Sequence, residues 1–268
     1  MDLLPASLQC ILCLCHIICL FCELPNSILL LLNDQVTRTT CNKIIWPYNF
    51  ANCFQEMLML MMLLDIYAMI LFPIWYRKCS NVAYIVALIF LPTVFGSIIM
   101  IWSLLWMNDD IIPFCNPPLA YHPTVSLTWS SISVCLNTLI LTLFVVLMLF
   151  IQFKSAKNFG REAIKLIRYL KVSTVTFIFS WYACLFGVQL WVVLGFEGNT
   201  LFFLQSNMVI FALICYSQSF YVLMWRSKDY RIAFLTMWNF IPMVQKKLSS
   251  KVSVVVSTSQ RVTQTNNI

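Results

Sequence analysis

The stretch that decides the fold opens at Cys41, passes through 23 mostly apolar residues to Asp65-Ile66-Tyr67, and closes on Pro73-Ile74-Trp75-Tyr76-Arg77-Lys78. As a helix, Cys41 to Asp65 covers roughly 36 Å at about 1.5 Å per residue, enough to cross a bilayer. One helix then carries a cysteine at one membrane face and an acid, aromatic, proline and basic cluster at the other.

The rest of the chain has the same character. Of its 268 residues 61% are hydrophobic and only 10% charged, and the mean hydropathy is +0.84. Soluble domains average roughly 45–50% apolar and about 25% charged, so an ordinary soluble domain is excluded. Six apolar runs are long enough to span a membrane: about 8–32, 44–74, 82–107, 125–153, 172–196 and 201–225. Their length and lack of strict alternation predict helices rather than barrel strands. The fold class is therefore all-α, a multispan transmembrane helix bundle. Only five glycines occur, which argues against helices packed tightly through Gly-x-x-x-Gly.

Charge sets the orientation. With the segment after Tyr76 in the cytosol, that side holds fifteen of the seventeen bases, and the other side only Arg38 and Lys43. This split follows the positive-inside rule and places both termini in the cytosol as the chain stands. The net charge of +7 is thus a topology signal, and no nucleic-acid partner is needed to explain it. Glu23, Glu56 and Asp65 are the acids inside spans. No cleavable signal peptide is evident.

The first run carries Cys10, Cys13, Cys15, Cys19 and Cys22 with His16. Cys-x-x-Cys spacing raises a metal site, but inside an apolar helix cysteine is commonly a small hydrophobe. Asn33 to Asn42 reads as a polar outer loop. Met57, Met59, Met61, Met62 and Met69 read as packing fillers, and Pro73 ends or bends the second helix. Four prolines between Pro113 and Pro123 predict a stiff, non-helical loop. Lys154–Lys171 suggests cytosolic helical extensions, and Gly195–Asn199 a short turn. Arg226–Leu235 fits an amphipathic helix on the inner leaflet. A bundle over 1–236 and a disordered tail over 237–268 follow. Of the twelve cysteines, Cys41 and Cys115 fall on predicted extracellular segments, where oxidation is expected. Neither a catalytic constellation nor a phosphate-binding glycine loop is present, so neither an enzyme nor a cofactor is expected.

Several ordered pieces carry a resemblance. They are Cys15–Leu24, Cys41, Leu64-Asp65-Ile66-Tyr67, Phe72-Pro73-Ile74-Trp75-Tyr76-Arg77, Cys115-Asn116-Pro117-Pro118, and Tyr216-Ser217-Gln218-Ser219-Phe220-Tyr221 leading to Trp225-Arg226-Ser227. From about residue 8 to 236 the chain resembles the nematode serpentine chemoreceptors of the Srsx type, a branch related to rhodopsin-like G-protein-coupled receptors. The resemblance implies a chemosensory receptor of the plasma membrane, in sensory-neuron cilia, with a small-molecule ligand and a heterotrimeric G protein as partners. It also implies a disulfide between Cys41 and Cys115, the pair that topology and redox compartment also select. Seven spans are expected of the family and six are visible, the first being absent from this sequence. Ile66 stands where the family's Asp-Arg-Tyr motif has its arginine. Phe177-x-x-Ser180-Trp181-Tyr182-Ala183 stands for Phe-x-x-Cys-Trp-x-Pro, so Trp181 keeps the toggle aromatic without the hinge proline.

Against that frame, Asp65, Ile66, Tyr67 and Arg226 are the G-protein-coupling candidates, Asp65 being otherwise a solvated helix end. Tyr48 and Asn52, one turn apart, share a helix face and could line a ligand cavity with Trp181, Gln189 and Asn207. No acid lies on that outer turn, which argues against a biogenic amine. Glu56 sits near mid-membrane, where it either binds an ion or ligand group or is a protonated acid hydrogen-bonded within the bundle. His16 lies near the sodium-binding aspartate position of many rhodopsin-like receptors and reads as a satisfied core histidine. Cys79 is a palmitoylation candidate or a free thiol. The leading function is G-protein-coupled chemoreception. The alternatives are a small multispan transporter or channel, and a non-signalling relative that pairs with full receptors.

Overall fold

The computed structural model describes residues 3–32, 35–78, 81–153, 172, 175–226 and 228–238. Cys79, the 154–171 segment and nearly all of the 237–268 tail lie outside the described residues. The chain divides into two units, Met1–Ser219 and Phe220–Ile268.

In the first unit, α1 (Leu3–Leu32), α2 (Arg38–Leu71), α4 (Asn81–Leu105) and α6 (Pro123–Phe153) form the main helices, with the short α3 (Pro73–Lys78) and α5 (Pro117–Ala120) between them. A π-helical turn, Ile178–Tyr182, runs into α7 (Ala183–Val193), followed by α8 (Gly198–Asn207) and α9 (Val209–Arg226), of which the residues from Phe220 onward belong to the second unit. Among the described residues, five helices are long and apolar enough to cross a membrane.

The long second helix occupies the centre. It begins earlier than the apolar run, at Arg38, because the Thr37 side chain accepts from the Thr40 amide and caps it. The polar outer loop expected over Asn33–Asn42 is therefore in part the first turns of α2. Backbone at Ile45 leaves helical values (φ −101°, ψ 15°) just before Pro47, which lacks an amide hydrogen and crowds the preceding turn. At the other end Phe72 leaves helical values (φ −126°, ψ 56°), since a residue before proline is disfavoured in the helical region. Pro73 thus ends α2 and starts α3.

Helix α2 is buried over most of its length, including Asn42, Asn49, Asn52, Gln55, Glu56 and Asp65. Peripheral helices show the reverse: Phe21, Leu31, Val82, Phe90, Ile101 and Leu105 are exposed. Apolar side chains outside and polar ones inside suit a lipid solvent, where an unpaired polar group faces a heavy penalty. Met59, Met61 and Met62 fill gaps around the larger core cluster.

Two short strands close one end. Val36 pairs with Ile112 and Thr37 with Ile111, antiparallel, and the Arg38 amide donates to the Asp110 carbonyl at 2.9 Å. Cys41 and Cys115 form a disulfide. The proline-rich segment differs from a fully non-helical loop. Asn116 caps a single turn, Pro117–Ala120, by accepting from the Leu119 amide. Proline is suited to the first position of a helix because its missing hydrogen would be unpaired there anyway.

The last run of the first unit is interrupted. Asn207 donates its side-chain amide back to the Phe203 carbonyl, and α8 stops at Asn207 before α9 starts at Val209. A side chain on Gly187 would come within 2.7 Å of the Met208 sulfur, so glycine lets α7 lie against this break. Gly195 (φ 78°) and Gly198 (φ 58°) make the turn between α7 and α8 in a conformation that favours glycine.

In the second unit, α10 (Lys228–Met237) follows the end of α9. Phe234 stacks on Trp238 and Tyr230 and meets Phe220 edge-on, with ring centroids 5.3–6.4 Å apart.

The disulfide closes a loop between residues 74 apart in sequence. Replacing Cys115 with Ser is expected to lower stability by roughly 2–4 kcal/mol, read as a fall in the thermal midpoint of the detergent-purified chain. The Cys41→Ser, Cys115→Ser double variant should fall no further than either single one.

Candidate ligand cavity and buried polar core

At the disulfide end, α1, α2, α5, α6, α7, α8 and α9 surround a cavity of about 280 Å³. Its wall includes Tyr48 and Asn52 of α2, Trp181 of the π turn, Gln189 of α7, and Glu23 of α1. Four of the five residues expected to line a ligand cavity are therefore on one wall. Asn207 is not; it points outward at the helix break, and Leu201 and Gln205 of α8 reach the cavity instead.

The neighbouring side chains are tied to one another. Tyr48 and Tyr216 hydroxyls lie 3.0 Å apart, and the two rings meet edge-on. The Tyr216 hydroxyl also donates to Asn52 Oδ1 at 3.5 Å, and Gln55 donates to that oxygen at 2.9 Å. Gln189 donates to the Ser130 hydroxyl across the cavity wall. At the rim, Arg38 Nε donates to the Leu119 carbonyl at 3.1 Å. Its Nη1 pairs with Asp110 at 2.9 Å and also donates to Asn108.

Beneath the cavity lies Glu56, 1% exposed. The Ser133 hydroxyl donates to one carboxyl oxygen at 2.7 Å, and the Trp181 indole nitrogen donates to the other at 2.9 Å. Indole is a donor with no acceptor lone pair, so this bond has a fixed direction. Both carboxyl oxygens of Glu56 are thus tied into the bundle by hydrogen bonds. Trp181 faces both this cavity and the small gap under it that Glu56, His16, Gln55 and Gln218 line. His16 is buried, its ring centroid 5.9 Å from that of Tyr216.

The π-helical turn places Trp181. A wide turn leaves backbone carbonyls poorly paired, and Ser180 donates its hydroxyl to the Thr176 carbonyl at 2.7 Å. The helix thus departs from α-helical pairing at Trp181 even though the sequence has Ala183 where the related motif has proline.

At the far end of α2, Asp65 is buried rather than a solvated helix end, and the hydroxyls of Tyr76 and Tyr84 face its carboxyl. Ile66 is buried in a second apolar cluster with Leu63, Ile140, Phe144 and Leu147. An apolar side chain at this position packs into the bundle where an arginine could not have stayed without a partner. Tyr67 donates its hydroxyl to the Leu143 carbonyl of α6 at 2.6 Å. Arg226 ends α9.

Sequence reasoning missed Glu23, Arg38 and the Tyr121–Trp129 wall as cavity residues. Glu23 had a signal, an acid within an apolar run, but its facing depends on how α1 is rotated against α2.

Trp181→Phe keeps an aromatic ring and removes the indole donor. It is expected to cost about 1.5–3 kcal/mol in the thermal unfolding of the detergent-purified chain. In a Glu56→Gln background the same change should cost measurably less, because the two side chains are directly coupled.

No curated protein matches the chain. Residues 5–238 match the family described as serpentine type 7TM GPCR chemoreceptor Srsx, which is a family of membrane-spanning receptors and not of enzymes. With most of its length inside that match and large apolar side chains exposed on its helices, the chain belongs to the Srsx family of serpentine chemoreceptors.

Proposed function

We propose that this chain detects an external small molecule in the cavity at its disulfide end and signals to a heterotrimeric G protein at the opposite end. The observation that carries this reading is Trp181. One side chain forms part of the cavity wall and is hydrogen-bonded to the buried acid beneath it. A ligand that touches Trp181 differently in two helix arrangements shifts the equilibrium between them.

Two features support the outward placement of the cavity. A disulfide forms and persists in an oxidising compartment, and Cys41–Cys115 sits at the cavity end. Fifteen of seventeen bases fall on segments assigned to the other side, which favours the cytosol for that side. The plasma membrane is the matching location, with residues 1–236 as the bundle.

Asp65, Tyr67 and Arg226 are the proposed coupling positions, with Ile66 acting as buried packing beside them. Since Ile66 takes the arginine's position, coupling would rest on contacts other than that arginine. The tyrosine hydroxyls at Asp65 provide a neutral alternative to an ion pair at this end.

Expression in cells with a second-messenger reporter and an odorant panel tests the reading. An active compound should lose its response in Val188→Trp, which fills the cavity from α7, at unchanged surface expression. A response that survives this filling would place the ligand elsewhere. Substrate flux that depends on Glu56 would favour a transporter instead.

A further inference from the structure

Glu23 and Arg38 are the charged side chains on the cavity wall, and their situations differ. Arg38 is balanced: it pairs with Asp110 and also donates to Asn108 and to the Leu119 carbonyl. Glu23 is 7% exposed, and among the described residues no ion pair reaches it. Its near neighbours are neutral, the Asn26 amide at 3.3 Å and the Tyr48 phenol beside it. A carboxylate held in a bundle interior without a counter-charge favours a cation, since acids in such places pair with bases or mark ligand paths.

The remaining wall suits the same partner. Tyr48, Tyr121, Trp129 and Trp181 line the cavity, and aromatic faces attract cations through the ring quadrupole. At about 280 Å³ the space is near the small end of ligand cavities, which run from about 300 to 1,000 Å³. The outer turn of α2 has no acid, but folding brings one to the cavity from α1.

We propose that the ligand class is a small protonated amine whose N–H groups donate to the Glu23 carboxylate while its apolar part rests on the aromatic wall. The proposal rests on the reading of this cavity as the ligand site.

Thermal shift of the full chain purified in detergent tests it with two matched sets. One is phenethylamine, phenethyl alcohol and phenylacetate; the other is isoamylamine, isoamyl alcohol and isovalerate. In at least one set the amine should raise the melting temperature while its alcohol and carboxylate do not. Glu23→Gln should weaken that amine by at least about 30-fold, the loss expected when one partner of a buried charge pair is removed. Glu23→Asp keeps the charge and should keep the preference for amine over alcohol, which guards against a folding defect in the glutamine variant.

Alcohol or carboxylate binding as tightly as the amine overturns the amine proposal. So does unchanged amine affinity in folded Glu23→Gln. In either case the cavity reading survives provided Val188→Trp abolishes the binding. Absence of a shift with every compound overturns the amine class. The cavity reading itself then stands or falls on whether the odorant-panel response is lost in Val188→Trp.

Discussion

A carboxyl group with almost no contact with solvent must find its donors inside the protein, and Glu56 finds two on two different elements. Ser133 comes from α6 and Trp181 from the π turn, while Glu56 itself belongs to α2. The bond to each therefore fixes one helix against the central one. Apolar packing alone is a weak guide to helix register where lipid is as apolar as leucine. Directional bonds to a buried acid restore the specificity that packing lacks, and they hold Trp181 where the floor of the cavity needs it.

Above this point the polar interior continues as a connected set. Gln55 and Tyr216 share Asn52, Tyr216 shares its hydroxyl with Tyr48, and His16 and Trp181 flank the Tyr216 ring. Farther along α2, Asn49 donates to Asn42, which donates to Ser103 of α4. The Asn49–Asn42 and Gln55–Asn52 bonds run along α2 itself, while the bonds to Ser103 and Tyr216 join it to helices distant in sequence. The result is a bundle with exposed apolar side chains outside and an apolar core through which polar side chains of the central helix run.

The disulfide end is held differently, through covalent and charged ties rather than through a polar core. The Cys41–Cys115 bond, the two-residue ladder and Arg38 all tether the same loop to the start of α2. This keeps α5 against the cavity and makes the loop part of its wall. For the proposed ligand, such pre-ordering would reduce the cost of organising the site. At the opposite end, Asp65 is met by tyrosine hydroxyls and Ile66 by apolar neighbours, so that end of α2 is closed by neutral contacts.

The helical, membrane-spanning character of the chain was legible in run length, composition and charge, because those properties are local and additive. Tyr48, Asn52, Trp181 and Gln189 were legible as a group because helical spacing and motif order place them on inward faces. Asn207 lies off the cavity because the run over 201–225 breaks at Met208, and the exposed Asn207 side chain bonds back to the Phe203 carbonyl. The turn at Pro117–Ala120 was hidden by its prolines, which read as helix breakers unless the cap at Asn116 is known. The sequence alone determined that this chain is a bundle of apolar helices with acids buried among them. Only tertiary structure decided which donors Glu56 meets and that Glu23 faces the cavity, because helix rotation is set by contacts between residues far apart in the chain.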